Sequence, residues 1–272
     1  MQIKFFCPLW GSDNMPFESF LMKVKKAGYE GVEMSLPEEP ERKKEILALL
    51  KQQDLQLIAQ HWETATADYD LHKKEYRRRL ANLASANPLF VNTQTGKDFF
   101  SFEQNAELIG IADEISNEYD VKIIHETHRG KFSFAAHIAA CYLKEISNLR
   151  ITLDISHWCN VAESWLDDQQ DAVNLAISKT EHIHARIGFP GGPQIPDPRV
   201  PEWKEALDRY TEWWKQATDL RRKDGWEEFT VTPEFGPFPY MAILPFTKQP
   251  ITNQWEVNRF MMDYLKKTLV NE

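Results

Sequence analysis

Cysteine is scarce in this 272-residue chain. Cys7, Cys141 and Cys159 are odd in number and widely spaced, which argues against a disulfide framework or a CxxC zinc site and points to a reducing, cytoplasmic location. No apolar run approaches the roughly 20 residues needed to cross a bilayer, so no membrane partner is expected. The first residues, MQIKFFCPLW, lack the apolar stretch and small-residue cleavage site of a signal peptide. No GxGxxG or GxxxxGK(S/T) run follows any predicted strand, which weakens a Rossmann or P-loop reading. Positive charge is in deficit: 32 Lys and Arg face 41 Asp and Glu, for a net charge of −9. A surface built to bind a polyanion is therefore not expected, and nucleic acid is not the expected partner.

What is present is a regular alternation. Short β-rich runs are followed by longer helical ones: IKFF (3–6), GVEM (31–34), LQLIAQ (55–60), LFVN (89–92), VKIIHE (121–126), ITLD (151–154), HIHA (182–185) and EFTVTPE (228–234). Helices are predicted over 16–27, 38–53, 69–86, 101–118, 133–147, 163–178, 202–223 and 253–269. Ser101 with Gln104 forms a capping box at the fourth, and Gly28 closes the first. Eight βα units favour a closed parallel sheet over an open one, and no linker divides the chain. The expectation is one α/β domain over residues 1–272, a (β/α)₈ TIM barrel.

Glu126, Asp154, His184 and Glu234 stand at the ends of four of these strands. The first three are 28 and 30 residues apart, close to the roughly 30 that one βα unit of such a barrel uses. The last gap, 50 residues, contains a Gly- and Pro-rich insertion at 188–201. Alone, each residue has a bland reading as a helix cap, a solvated carboxylate or a structural histidine. Together they fall on the edge where barrel enzymes place their chemistry, and three carboxylates with one imidazole suit one divalent metal ion: Mn²⁺, Zn²⁺, Co²⁺ or Mg²⁺.

The runs HETHRG (125–130), LDISH (153–157), HIHAR (182–186) and PEFGP (233–237) resemble the xylose-isomerase-like barrel superfamily, which holds sugar isomerases and epimerases and metal-dependent apurinic/apyrimidinic endonucleases. The resemblance spans the chain and is sharpest over 121–236. It implies Glu126, Asp154, His184 and Glu234 as metal ligands, and places His157 beside the ligands or against the substrate. The implied activity is a metal-dependent sugar isomerase or epimerase acting on a keto sugar through an ene-diolate, with Glu126 and Glu234 as acid and base. A lyase or dehydratase shares the first step and is the alternative. The endonuclease branch is the weaker rival: its DxH pair is replaced here by Asp197-Pro198-Arg199.

Further residues are expected on the same rim. His61 follows the third strand, Gln94 the fourth and Arg186 the seventh, and Arg186 can grip hydroxyls, a carboxylate or a phosphate. Trp10, Trp62 and Trp158 follow strands one, three and six and offer faces to a sugar ring, or pack under loops. Glu33 points inward and is either functional or paired. Without an obvious Gly-rich loop coupled to a helix N-terminus after strands seven and eight, a non-phosphorylated sugar is slightly favoured. The insertion at 188–201 reads as a shaped rim or lid. The helix with Trp203, Trp213 and Trp214 reads as a packing face, with a homo-oligomer interface as the alternative.

Overall fold

A computed structural model describes residues 1–269. Eight parallel strands close into a barrel in sequence order: β1 (Gln2–Pro8), β2 (Gly31–Met34), β3 (Gln56–His61), β4 (Phe90–Thr93), β5 (Ile123–Glu126), β6 (Ile151–Leu153), β7 (Thr180–His184) and β8 (Glu228–Thr232). The helices are α1 (Phe17–Ala27), α2 (Pro40–Gln52), α3 (Tyr69–Ala84), α4 (Phe102–Tyr119), α5 (Ala136–Glu145), α6 (Ser156–Val161), α7 (Gln170–Ser178), α8 (Lys204–Lys223) and α9 (Gln254–Thr268). The (β/α)₈ expectation is met. The Ser101–Gln104 capping box forms at the start of α4, and Gly28 ends α1 in the left-handed region at φ 84°. No helix of the described residues is long and apolar enough to cross a membrane.

Two departures sit on the side of the barrel that matters. Residues 156–161 form a short extra helix, α6, directly after β6, and the helix expected from 163 begins as α7 only at Gln170. Ser156 initiates α6 while its side chain binds Asp154, so the site's own chemistry shapes the turn.

Alternation along each strand sends one set of side chains into the barrel and the other toward the helices. Phe6, Ile58, Phe90 and Ile124 make a closed apolar cluster inside the barrel, each 3% exposed or less. Burying each such side chain is worth about 1.5–3 kcal/mol. Gly31 is required beside it, since a Cβ there would lie 2.5 Å from the Phe6 ring and 2.3 Å from Gln56 O. Above this plug the interior turns polar, with Glu33, Asn92, His182 and Thr232 buried in one connected group. The larger apolar core lies between strands and helices, and takes in Trp213 and Trp214 of α8 as the packing-face reading expects. The basic run on α3 spends Lys73, Arg77, Arg78 and Arg79 on neighbouring carboxylates.

Candidate metal centre and cavity

Glu126 ends β5, His184 ends β7, and Asp154 and Glu234 follow β6 and β8 by one and two residues. Each offers one ligand atom, and the four atoms lie within 4.8 Å of one another, all buried. His184 is at the centre of the group. Its Nδ1 is 2.9 Å from Glu234 Oε2 and 3.7 Å from Glu126 Oε1, and its Nε2 is 2.9 Å from Glu33 Oε1. The backbone under the ligands is pinned. Thr127 Oγ1 accepts from Asp154 N at 2.8 Å and donates to Asp154 O at 3.0 Å, and Ser133 Oγ donates to Glu126 O at 2.7 Å.

Arg186 crosses the same space. Its Nη2 donates to Asp154 Oδ2 and to His157 Nε2, the latter at 2.7 Å, and its Nη1 is 3.8 Å from Glu234 Oε2. The guanidinium lies 4.7 Å from the Tyr240 ring centre and 5.9 Å from that of Trp10. The other Asp154 oxygen accepts from Ser156 N and Oγ.

Charge decides the protonation states. Burial would raise Glu126, but the positive charge on His184, aided by His128 and Arg186, holds it down at about 2. Burial pushes Asp154 up to about 6; Arg186 opposes this, while Glu234 and Glu126 add to it. Burial would strip the proton from His184, yet Glu234, Glu33 and Glu126 together lift it well above the ordinary histidine value. His128 and His157 lack such partners in strength, and burial lowers both, His128 to about 4.

A divalent cation fits these residues. His184 Nδ1 is fully buried and has no hydrogen-bond partner, though it faces carboxylates. With His184 neutral, as a ligand must be, the three carboxylates less the one charge of Arg186 leave −2 around that nitrogen, which one M²⁺ neutralises. The oxygen-and-imidazole donor set suits Mg²⁺, Mn²⁺, Co²⁺ or Zn²⁺.

A cavity of about 550 Å³ opens above, lined by residues from seven βα connections or strand ends, among them Glu126, Glu234, Arg186, Gln60, Gln94 and His128. Two amides flank the carboxylates: Gln94 Nε2 is 3.2 Å from both Glu126 oxygens, and Gln60 Nε2 is 3.3 Å from Glu234 Oε1. Trp10, Trp62 and Tyr240 add aromatic surface; Trp62 is 56% exposed at the mouth, and Trp10 meets Tyr240 edge-on at 5.0 Å.

Not every expected residue reaches this cavity. His61 faces the helices, where its ring nitrogens bond Thr93 Oγ1 at 2.9 Å and Thr64 Oγ1 at 2.8 Å beside Tyr76. Its neighbour Gln60 takes the inward place, as alternation from Ile58 requires. Trp158 is fully buried beneath the wall, with Nε1 donating to Ser133 O at 2.7 Å. His157 is buried behind Arg186 and meets the His128 ring at a tilt, with 3.9 Å between ring centres. The 188–201 insertion is strapped to the segment after β8: Gln194 pairs both ways with the Gly236 backbone, and Asp197 binds Arg199 and Thr252. His128, Gln60 and Tyr240 were missed by sequence reasoning. His128 was findable, being two positions beyond Glu126 in HETH.

None of the protein-family models matches the chain, and no curated protein matches it. Solved structures do. D-psicose 3-epimerase from Clostridium cellulolyticum is similar over 99% of both chains, with TM-score 0.62 and 15% identity. The E. coli 3-keto-D-glucoside 4-epimerase is similar over 98% of this chain and 100% of its own, with TM-score 0.63 and 13% identity. Endonuclease IV from Thermus thermophilus covers 100% of both chains at TM-score 0.60 and 12% identity. The chain shares with these structures the fold of a closed eight-stranded parallel (β/α)₈ barrel. Its structural neighbours include both sugar epimerases and an endonuclease, so the fold by itself leaves the reaction open.

Proposed function

We propose that this protein is a metal-dependent sugar isomerase or epimerase that moves a proton at a carbon adjacent to a ketone. The observation that carries the reading is the pairing of Glu126 and Glu234 in one cavity wall, each gripped by a glutamine amide and both facing His184. A divalent cation held by Glu126, Asp154, His184 and Glu234 would polarise the substrate's carbonyl and acidify the neighbouring C–H.

The side chains supply the rest. Nearby positive charge holds Glu126 as the carboxylate, the form that removes the carbon proton. In an isomerisation Glu126 gives that proton back to the neighbouring carbon; in an epimerisation Glu234 has to enter the cycle protonated and deliver its own proton to the opposite face. Arg186 keeps a permanent positive charge in the cavity wall beside Asp154 and Glu234, where it would offset the negative charge that grows as the ene-diolate forms. Trp10 and Tyr240 present aromatic surface to the apolar face of a sugar ring and keep water from the proton in flight. The phosphodiesterase reading draws less support. Asp197 is spent on Arg199 and Thr252, and it does not line the cavity.

The test is proton exchange. Protein loaded with Mn²⁺ or Co²⁺ is incubated with a panel of ketoses and keto-glycosides in D₂O, and deuterium entry at the carbon next to the ketone is followed by NMR. Wash-in with at least one compound, lost in Glu126→Gln and Glu234→Gln, is expected. No wash-in with any of them, together with cleavage of abasic duplex DNA, would overturn the reading.

A further inference from the structure

Glu33, at the third position of β2, is 1% exposed in the barrel interior, where a carboxylate is costly unless every lone pair finds a donor. Its two oxygens take four partners. Oε1 accepts from Asn92 Nδ2 at 2.8 Å and faces His184 Nε2 at 2.9 Å. Oε2 accepts from Thr232 Oγ1 at 2.5 Å and faces His182 Nε2 at 3.2 Å. All four partners are fully buried. Glu33, His182 and His184 are themselves close enough to hold an ion, yet the Glu33 oxygens are already saturated by these donors.

The consequence falls on His184. A metal ligand must be the neutral imidazole, and in that form an anionic acceptor at Nε2 makes that nitrogen the N–H donor and leaves the lone pair on Nδ1. Nδ1 is the atom that faces Glu234 and Glu126 and has no hydrogen-bond partner. A carboxylate behind a metal-binding imidazole fixes its tautomer, orients its ring and strengthens it as a donor.

We propose that Glu33 is the positioning residue of the metal centre: it selects the Nδ1-ligating form of His184 and so sets the affinity for the ion, without being one of the four ligands, although it also lines the cavity. This rests on the metal-centre reading above. It also divides the HxH pair by role. His184 ligates, while His182, anchored at Nδ1 by Thr230 Oγ1 at 2.7 Å, steadies Glu33 from below.

Titration with Co²⁺ tests it. Glu33→Gln keeps the shape and removes the charge; its Co²⁺ dissociation constant should rise about 10- to 100-fold, with Glu33→Asp recovering part of the loss. Since a buried substitution can impair folding, the wild-type protein supplies a second readout. NMR of the cadmium-loaded chain with nitrogen-labelled histidine should show His184 with metal on Nδ1 and a solvent-protected proton on Nε2. The opposite assignment overturns the inference. So does unchanged Co²⁺ binding in folded Glu33→Gln while Glu126→Gln loses it, a result that leaves the metal centre standing. A wild-type chain that binds neither Co²⁺ nor Cd²⁺ would remove both readings together.

Discussion

Arg186 and Asp154 form an ion pair with 2% and 0% of their side chains exposed, and the same guanidinium nitrogen bonds His157. The pair lies directly against the four-ligand group, so Arg186 offsets part of the repulsion among Glu126, Asp154 and Glu234. Arg186→Met should therefore leave uncompensated buried charge and destabilise the metal-free protein by about 3–5 kcal/mol. Calorimetry would show a Tm fall of roughly 10 °C that Mn²⁺ partly reverses. An unchanged Tm would mean the carboxylates are not charged together.

Glu126→Gln and Glu234→Gln should each lower turnover by about 10²- to 10⁴-fold, the usual contribution of a positioned acid or base. Both should fold, because an amide can keep part of the contact with Gln94 or Gln60. Circular dichroism and the D₂O exchange rate separate the two effects. Retained exchange in Glu234→Gln would take that side chain out of the mechanism.

Gly236→Ala should damage the cavity without touching a ligand. A Cβ at Gly236 would lie 2.0 Å from the Trp10 ring, so Trp10 must move off Tyr240 and away from Arg186. Overpacking of this kind costs about 1–3 kcal/mol. The expected result is a raised KM and altered tryptophan emission with kcat less affected; identical emission would argue against the Trp10 seat.

His125 immediately precedes Glu126, but its ring bonds Thr95 and none of the four ligands, and it supplies a pH test. Burial lowers it from an ordinary 6.5 to about 3, and it stays neutral, bonded to Thr95 Oγ1 at 2.8 Å. The unfolded chain binds this proton first as pH drops, so its stabilising effect is complete above 6.5 and is lost as pH falls toward 3. That contributes a slope of about 1.4 kcal/mol per pH unit. His125→Asn should flatten the denaturation midpoint against pH across this window by one proton's worth. An unaltered slope would show that His125 is already protonated in the fold.

The barrel was legible because strand runs and helix signals recur at near-constant spacing, and the same spacing put Glu126, Asp154 and His184 at one height. His61 shows where that reading stops. LQLIAQH ends in two polar residues, and only the inward direction of Ile58 tells that Gln60, not His61, faces the cavity. Glu33 shows a second limit: its burial was expected, but His184 lies 151 positions away in the chain, and strand order around a closed sheet is what joins them. Helix α6 was hidden because six residues carry too little periodicity to separate from a loop.

The apolar plug of Phe6, Ile58, Phe90 and Ile124 makes the barrel a flask with a stopper at its base. Whatever reaches the carboxylates must enter and leave by one neck. On the proposed reading, an ion seated below a sugar would have to load first and leave last, mineral before organic, because the floor of the vessel is closed.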